Sequence, residues 1–241
     1  MDLPPMGVDE TLPILKKNRL STGIPDLDII LEGGYPNPGN VILRGPTGGE
    51  KEALAGHFIA AADPKKEIVI IVSADATAEN IQEKATPFGL DIEKEHIYFI
   101  DCYSQTLGQK KELTQSENRM YVSGPGGLND VSIYINEIIK KSAGKKLRVV
   151  FHTLSTFVLY NPKESITKFL QVVEGRLKSA DATALYLVEE GVHDKQILSL
   201  LEHGMDGVFV LKETGGKFEL IVPSADIPIP IRLGPSGIMV V

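Results

Sequence analysis

Tryptophan is missing from this sequence, and Phe, Tyr and Trp together make up only 6% of it. Stacking platforms for single-stranded nucleic acid are therefore scarce, since such surfaces lay bases on aromatic faces. Positive charge is short as well. With 25 Lys and Arg against 32 Asp and Glu, the formal net charge is −7, which argues against a surface built mainly to neutralise phosphates. Cysteine occurs once, at Cys102. An internal disulfide is thus excluded, a reducing interior is the natural setting, and Cys102 reads as a small buried hydrophobe. No apolar run approaches the roughly 18 residues of a membrane span. The opening Met1-Asp2-Leu3-Pro4-Pro5 has neither the basic nor the apolar region of a secretion signal. The expectation is a cytoplasmic protein without a membrane partner, and with nucleic acid disfavoured as a ligand.

What remains is ordinary globular material, 42% apolar and 24% charged over 241 residues, enough for a large core. Short apolar runs alternate with stretches of helical period, the signature of parallel βαβ units. Strands are expected at Val41–Leu43, Glu67–Ser73, Ile97–Cys102, within Lys145–Ser155, at Ala184–Val188 and at Val208–Leu211. Helices are expected at Lys51–Ala62, Ala78–Phe88, Asp130–Lys141 and Ser165–Ser179. Glu67–Ser73 (EIVIIVS) is apolar almost throughout, as a strand covered on both faces should be. Residues 104–130 are polar and Gly-rich and read as a surface excursion. The tail, Phe218–Val222 and Ile227–Val241, reads as antiparallel strands, with prolines confining them to edges or turns. One domain over 1–241 is the economical organisation.

The segment Gly45-Pro46-Thr47-Gly48-Gly49-Glu50-Lys51-Glu52 lies between a predicted strand and a predicted helix. That context makes it a candidate phosphate-binding loop. In such loops backbone N–H groups and the helix N-terminus hold phosphates while the lysine reaches the outer ones. Gly45, Gly48, Gly49 and Lys51 fit. Glu50 stands where glycine is wanted, and Glu52 stands where Ser or Thr would hold magnesium. A carboxylate ~4 Å from a phosphate charge costs about 4 kcal/mol at an effective dielectric of ~20, roughly a thousandfold in affinity.

The stretch Leu20-Ser21-Thr22-Gly23-Ile24-Pro25-Asp26-Leu27-Asp28, then Leu31-Glu32-Gly33-Gly34, then the loop at 45–52, resembles the opening of the KaiC-like ATPases of the RecA superfamily. Arg148–Ser155 (RVVFHTLS) is similar to their Walker B strand. Phe169-Leu170, Gly175–Ser179 and Asp206-Gly207-Val208 resemble the archaeal, RadA-related branch. The resemblance spans about residues 18–241. It implies a three-layer αβα, RecA-like P-loop fold with a mainly parallel sheet and antiparallel C-terminal edge strands.

Measured against that family, the sequence departs at several catalytic positions. His152 stands where the family has the magnesium-organising aspartate, and magnesium prefers oxygen ligands. Asp75 matches the place of the water-activating glutamate and is the vestige of that group. The family's basic finger falls on Val222-Pro223-Ser224-Ala225-Asp226, which carries no cation. An arginine finger is worth about 10³–10⁵ in rate. The resemblance therefore implies a catalytically degenerate ATPase homologue, a regulatory or scaffold protein of the signal-transducer type. Its nucleotide site, Gly45 to Glu52 with His152, would bind ATP or ADP weakly and without magnesium, or not at all. No residue set has metal-ligand spacing. Partners would be proteins, either further copies of itself or an active KaiC-like relative, and Ile227-Pro228-Ile229-Pro230-Ile231 is a candidate contact. Two alternatives stay open: a slow, atypical ATPase using Glu52 and Asp75, and a recombination or DNA-repair accessory paralogue.

Overall fold

The computed structural model of the chain describes residues 18–86, 91, 94–108, 116–142, 144–222 and 227–241. In chain order the strands are β1 (Arg19–Leu20), β2 (Tyr35–Pro36), β3 (Gly39–Gly45), β4 (Glu67–Ser73), β5 (Ile97–Asp101), β6 (Arg119–Tyr121), β7 (Lys146–His152), β8 (Ala182–Glu189), β9 (Gly207–Thr214), β10 (Lys217–Val222), β11 (Ile227–Gly234) and β12 (Gly237–Val240). The helices are α1 (Pro25–Ile30), α2 (Gly49–Ala60), α3 (Ala78–Ala85), α4 (Leu128–Lys141), α5 (Leu154–Tyr160), α6 (Lys163–Ser179) and α7 (Lys195–Glu202).

Ten strands form one sheet in the order β12-β11-β10-β9-β3-β8-β7-β4-β5-β6. Pairings from β9 through β6 are parallel, and those from β9 outward to β12 are antiparallel. The two-residue period of a strand sends alternate side chains to opposite faces. Along β4, Val69 and Ile71 join one core with Leu54 and Phe58 of α2 and Ile81 of α3. Ile68, Ile70 and Val72 join the other with Val131 and Ile135 of α4 and Leu170 and Val173 of α6. Two covered faces make the three-layer αβα sandwich expected of the sequence.

Differences from the expected elements have local causes. Arg119–Tyr121 adds a short parallel strand beside β5 within the stretch read as an excursion; three residues are too few to show a period. α3 ends at Ala85, and the expected continuation through Phe88 lies outside the described residues. β11, which carries Pro228 and Pro230, is paired on both sides rather than at the sheet edge. Val241 N donates to Pro230 O, so residues 228 and 230 turn their backbone toward β12. That strand's register begins only at Ile231. The missing N–H groups therefore face a stretch with no ladder to complete. Ile229, Ile231 and Ile238 are buried in the molecule's own core, so they no longer argue for an intermolecular contact. Ile238 N also donates to His57 Nε2 at 2.9 Å, tying β12 to α2. Burial lowers the pKa of His57 and favours the neutral ring that accepts this bond.

The opening motif works as a brace. Asp28 accepts from Ser21 Oγ (2.5 Å), Thr22 N (2.7 Å) and Thr22 Oγ1 (2.6 Å). Gly23 has φ +86, and a Cβ there would strike the His57 carbonyl, so only glycine lets this loop lie on α2. Arg148 on β7, 2% exposed, binds the brace to the sheet. Its Nη1 donates to Ser21 O (2.8 Å) and Phe58 O (3.1 Å), and its Nε and Nη2 donate to the Glu67 carboxylate (3.2 and 3.4 Å). The guanidinium also lies 4.8 Å from the centre of the Phe58 ring. Replacing only Arg148, as in Arg148→Met, leaves Glu67 buried without its counter-charge and is expected to cost about 3–5 kcal/mol. Denaturant unfolding should show this loss, and the Arg148→Met/Glu67→Leu pair should recover much of it.

Candidate functional site

The residues singled out in the sequence gather at the carboxyl ends of β3, β4 and β7, beside that of β8. Ligands of open α/β sheets bind at that edge. β3 delivers Gly45, Pro46 to Gly48 make the turn, and α2 begins at Gly49. A Cβ on Gly48 would lie 3.4 Å from Glu50 Oε2, so the Glu50 carboxylate folds back against the turn. Glu50 and Glu52 both sit in the first turn of α2. There they offset the positive end of the helix dipole, which an anionic ligand would otherwise do.

Lys51 is 1% exposed. Its Nζ lies 2.6 Å from Glu189 Oε1, and Thr47 Oγ1 donates to Glu189 Oε2 at 2.8 Å. Glu189, at the end of β8, was not among the residues picked from the sequence. A carboxylate at the end of a buried strand, bordering the ligand edge of the sheet, was the available signal.

Glu52 turns away from the loop. Lys84 Nζ of α3 donates to its Oε2 at 3.0 Å. His152 closes β7, 7% exposed, and its Nδ1 lies 2.8 Å from Asp75 Oδ1. Its Nε2 stands 3.9 Å from Glu52 Oε1, an ion-pair approach beyond hydrogen-bond reach. Asp75, His152, Glu52 and Lys84 thus form one connected chain of polar side chains. The register that pairs Ser73 with His152 brings β4 and β7 together and makes it possible. Burial pushes the Asp75 carboxyl up, but the hydrogen bond and electrostatic influence of His152, with the nearby charge of Lys84, outweigh it and hold the carboxyl below its ordinary value. The next helix is capped by Thr77 with Asn80 and not by Asp75. Lys84 was the other residue that sequence reasoning missed; helix periodicity alone gives no sign that it meets Glu52.

Beside this chain is a cavity of about 380 Å³ between α2, α3, β4 and β7. Ala53, Gly56, Ile59, Ile71, Ile81 and Val150 line it, with Glu52, Lys84 and His152 at its polar side. Such walls suit an apolar group rather than a phosphate. Among the described residues no cluster of three or more His, Cys, Asp or Glu could hold a metal ion. No helix among them is long and apolar enough to cross a membrane. His193 and Asp194 have separate tasks: His193 Nε2 meets Ser155 Oγ at 2.8 Å, and Asp194 caps α7 by accepting from Ile197 N. Burial pushes the Cys102 thiol well above its ordinary range, as befits an inert core residue. Residues 223–226, where the basic finger was sought, lie outside the described residues.

A family model described as the KaiC ATPase matches residues 20–220. The UPF0273 protein of Pyrococcus horikoshii is 25% identical over 200 residues, 80% of this chain and 77% of that protein. The UPF0273 protein of Thermotoga maritima is 24% identical over 198 residues, 80% and 79% of the two chains. The circadian clock oscillator protein KaiC of Prochlorococcus marinus matches at 32% over 99 residues, only 39% of this chain and 19% of that protein. Among solved structures, a KaiC-like protein from Pyrococcus horikoshii superposes with a TM-score of 0.70. It covers 93% of this chain and 99% of that one at 23% identity, a likeness of fold.

The Asp75–His152 contact has a pH signature. A carboxyl with a lowered folded pKa contributes stability that is complete above its unfolded value of about 3.9 and is lost as pH falls through the folded value. Thermal unfolding of the protein and of Asp75→Asn should therefore differ most at neutral pH. The two curves should converge below about pH 4, whereas a constant offset would mean that the contact contributes nothing.

Proposed function

This chain belongs to the KaiC ATPase family, and from that membership and the charge arrangement at its site we propose that it is a non-hydrolysing member, a regulatory or scaffold protein. The observation that carries the reading is the chain Asp75–His152–Glu52–Lys84. Magnesium requires several free oxygen ligands in near-octahedral array. The two carboxylates nearest the expected ion position are instead spent on His152 at 2.8 Å and Lys84 at 3.0 Å. The group at the end of β7 is an imidazole, a poor partner for that ion. The residues present do not fit magnesium, and no catalytic step is routed through it.

The phosphate cradle is better preserved than the metal site. Gly45, Gly48, Gly49, the N-terminus of α2 and Lys51 are in place, so weak, magnesium-independent binding of ATP or ADP is part of the proposal. The same engagement of Glu52 and Asp75 opposes the alternative of a slow ATPase that uses them as metal ligands. A DNA accessory role finds little support. Lys140, Lys141, Lys145 and Lys146 are exposed at the end of α4 and the start of β7, away from the sheet edge that carries the site. Action through protein contacts, with copies of itself or with a hydrolysing relative, is the remaining element of the proposal, and it comes from family analogy.

Phosphate release from ATP should equal a protein-free blank, and Lys51→Ala should not lower it. In calorimetric titration, chelating magnesium should leave nucleotide affinity unchanged, although in a working site the ion bridges the β- and γ-phosphates. Turnover that depends on Lys51, or affinity that collapses without magnesium, overturns the reading.

A further inference from the structure

The anion position of the loop already has an occupant. Two donors of the loop, the Thr47 hydroxyl and the lysine that reaches the outer phosphates in such sites, converge on one carboxylate. Thr47 Oγ1 donates to Glu189 Oε2 at 2.8 Å, and Lys51 Nζ lies 2.6 Å from Oε1. The backbone of Glu189 is fixed. It sits opposite Gly45 in the β3–β8 register, Glu189 N donates to Ser155 Oγ at 2.8 Å, and Glu190 N donates to Gly45 O at 2.8 Å. Only rotation about its side-chain bonds can remove the carboxylate. Lys51 is 1% exposed, so an anion from solution reaches Nζ only when the Lys51–Glu189 contact opens.

We infer that Glu189 is a tethered internal competitor for the phosphate subsite, holding the loop closed to simple anions and admitting a magnesium-free polyphosphate only by displacement. This inference rests on the reading of 45–52 as a phosphate cradle without its metal site. A tethered group competes at a high effective concentration fixed by geometry rather than by supply. Neighbouring charge adds to the barrier, since Glu50 folds against Gly48 and the positive charge of Lys84 is spent on Glu52. A polyphosphate has an advantage that inorganic phosphate lacks. Both oxygens of Glu189 are used by Thr47 and Lys51, whereas a longer anion can hold the lysine and also meet the backbone N–H groups at the start of α2.

The experiment titrates the full chain with inorganic phosphate and with pyrophosphate, in EDTA, by calorimetry. The same titrations are run on Glu189→Gln, Lys51→Ala and the double variant. Glu189→Gln keeps the shape of the side chain and removes its charge. Giving up the buried ion pair with Lys51 corresponds to a gain on the order of ten- to a hundredfold in pyrophosphate affinity. That gain should vanish when Lys51→Ala is added, and it should be smaller for inorganic phosphate. If Glu189→Gln does not fold, Glu189→Asp, which keeps the charge but draws it back by one methylene, should still gain in the same direction. Unchanged pyrophosphate affinity in the folded variants, or a gain that survives the loss of Lys51, overturns the inference. These outcomes are independent of hydrolysis: wild-type turnover of ATP would defeat the proposed function and leave the competition for the subsite to be judged by pyrophosphate alone.

Discussion

A guanidinium cannot be neutralised by giving up its proton, so burying Arg148 obliges the fold to surround it with acceptors. The acceptors come from three separate parts of the chain: the carboxylate of Glu67 on β4, the carbonyl of Ser21 in the opening loop and the carbonyl of Phe58 near the end of α2. Each is positioned only when the others are. The opening brace, the helix that follows the loop and the centre of the sheet are thereby locked in one arrangement. The loop at 45–52 is held between those same elements, and its geometry is inherited from that lock. A buried pair of this sort is weak evidence for stability in itself; its consequence is that few alternative placements of α2 are open.

The same logic of obligatory pairing governs the site. A RecA-like edge gathers charged and titratable residues from α2, α3, β7, β8 and the turn after β4, and these pair with one another. Lys51 finds Glu189, Lys84 finds Glu52, and His152 finds Asp75. Taken singly, Glu52 and His152 look like defects in an ATPase. Together with Lys84 and Asp75 they form a connected network, and the carboxylate that would repel phosphate is neutralised by a neighbour. Family membership comes from the match over residues 20–220, while the proposal of a non-hydrolysing member rests on the network.

Much of the fold was legible in the sequence, because burial on both faces writes itself as unbroken apolar runs. β4 was read to the residue, and β3, β7, β8 and β9 were found within a few residues of their ends. β6 escaped because Arg-Met-Tyr is too short to show a period. α5 and α7 escaped because helices of seven and eight residues leave little pattern to count. The place of β11 inside the sheet escaped because proline excludes a ladder bond on one side only, and which side is free depends on where the pairing with β12 stops.

Sequence by itself determined the layered α/β architecture, the position of the loop and the identities of Glu50, Lys51, Glu52, Asp75 and His152, since these follow from local pattern and motif spacing. Tertiary structure alone decided what those charges do. Glu189 is 138 positions from Lys51 in the chain numbering and Lys84 is 32 from Glu52, and no local rule joins either pair. They meet because parallel strands end together at one edge of the sheet and Lys84 reaches from α3 to Glu52 of α2 there. Once they meet in a partly buried place, the cost of leaving a charge unpaired selects the pairing.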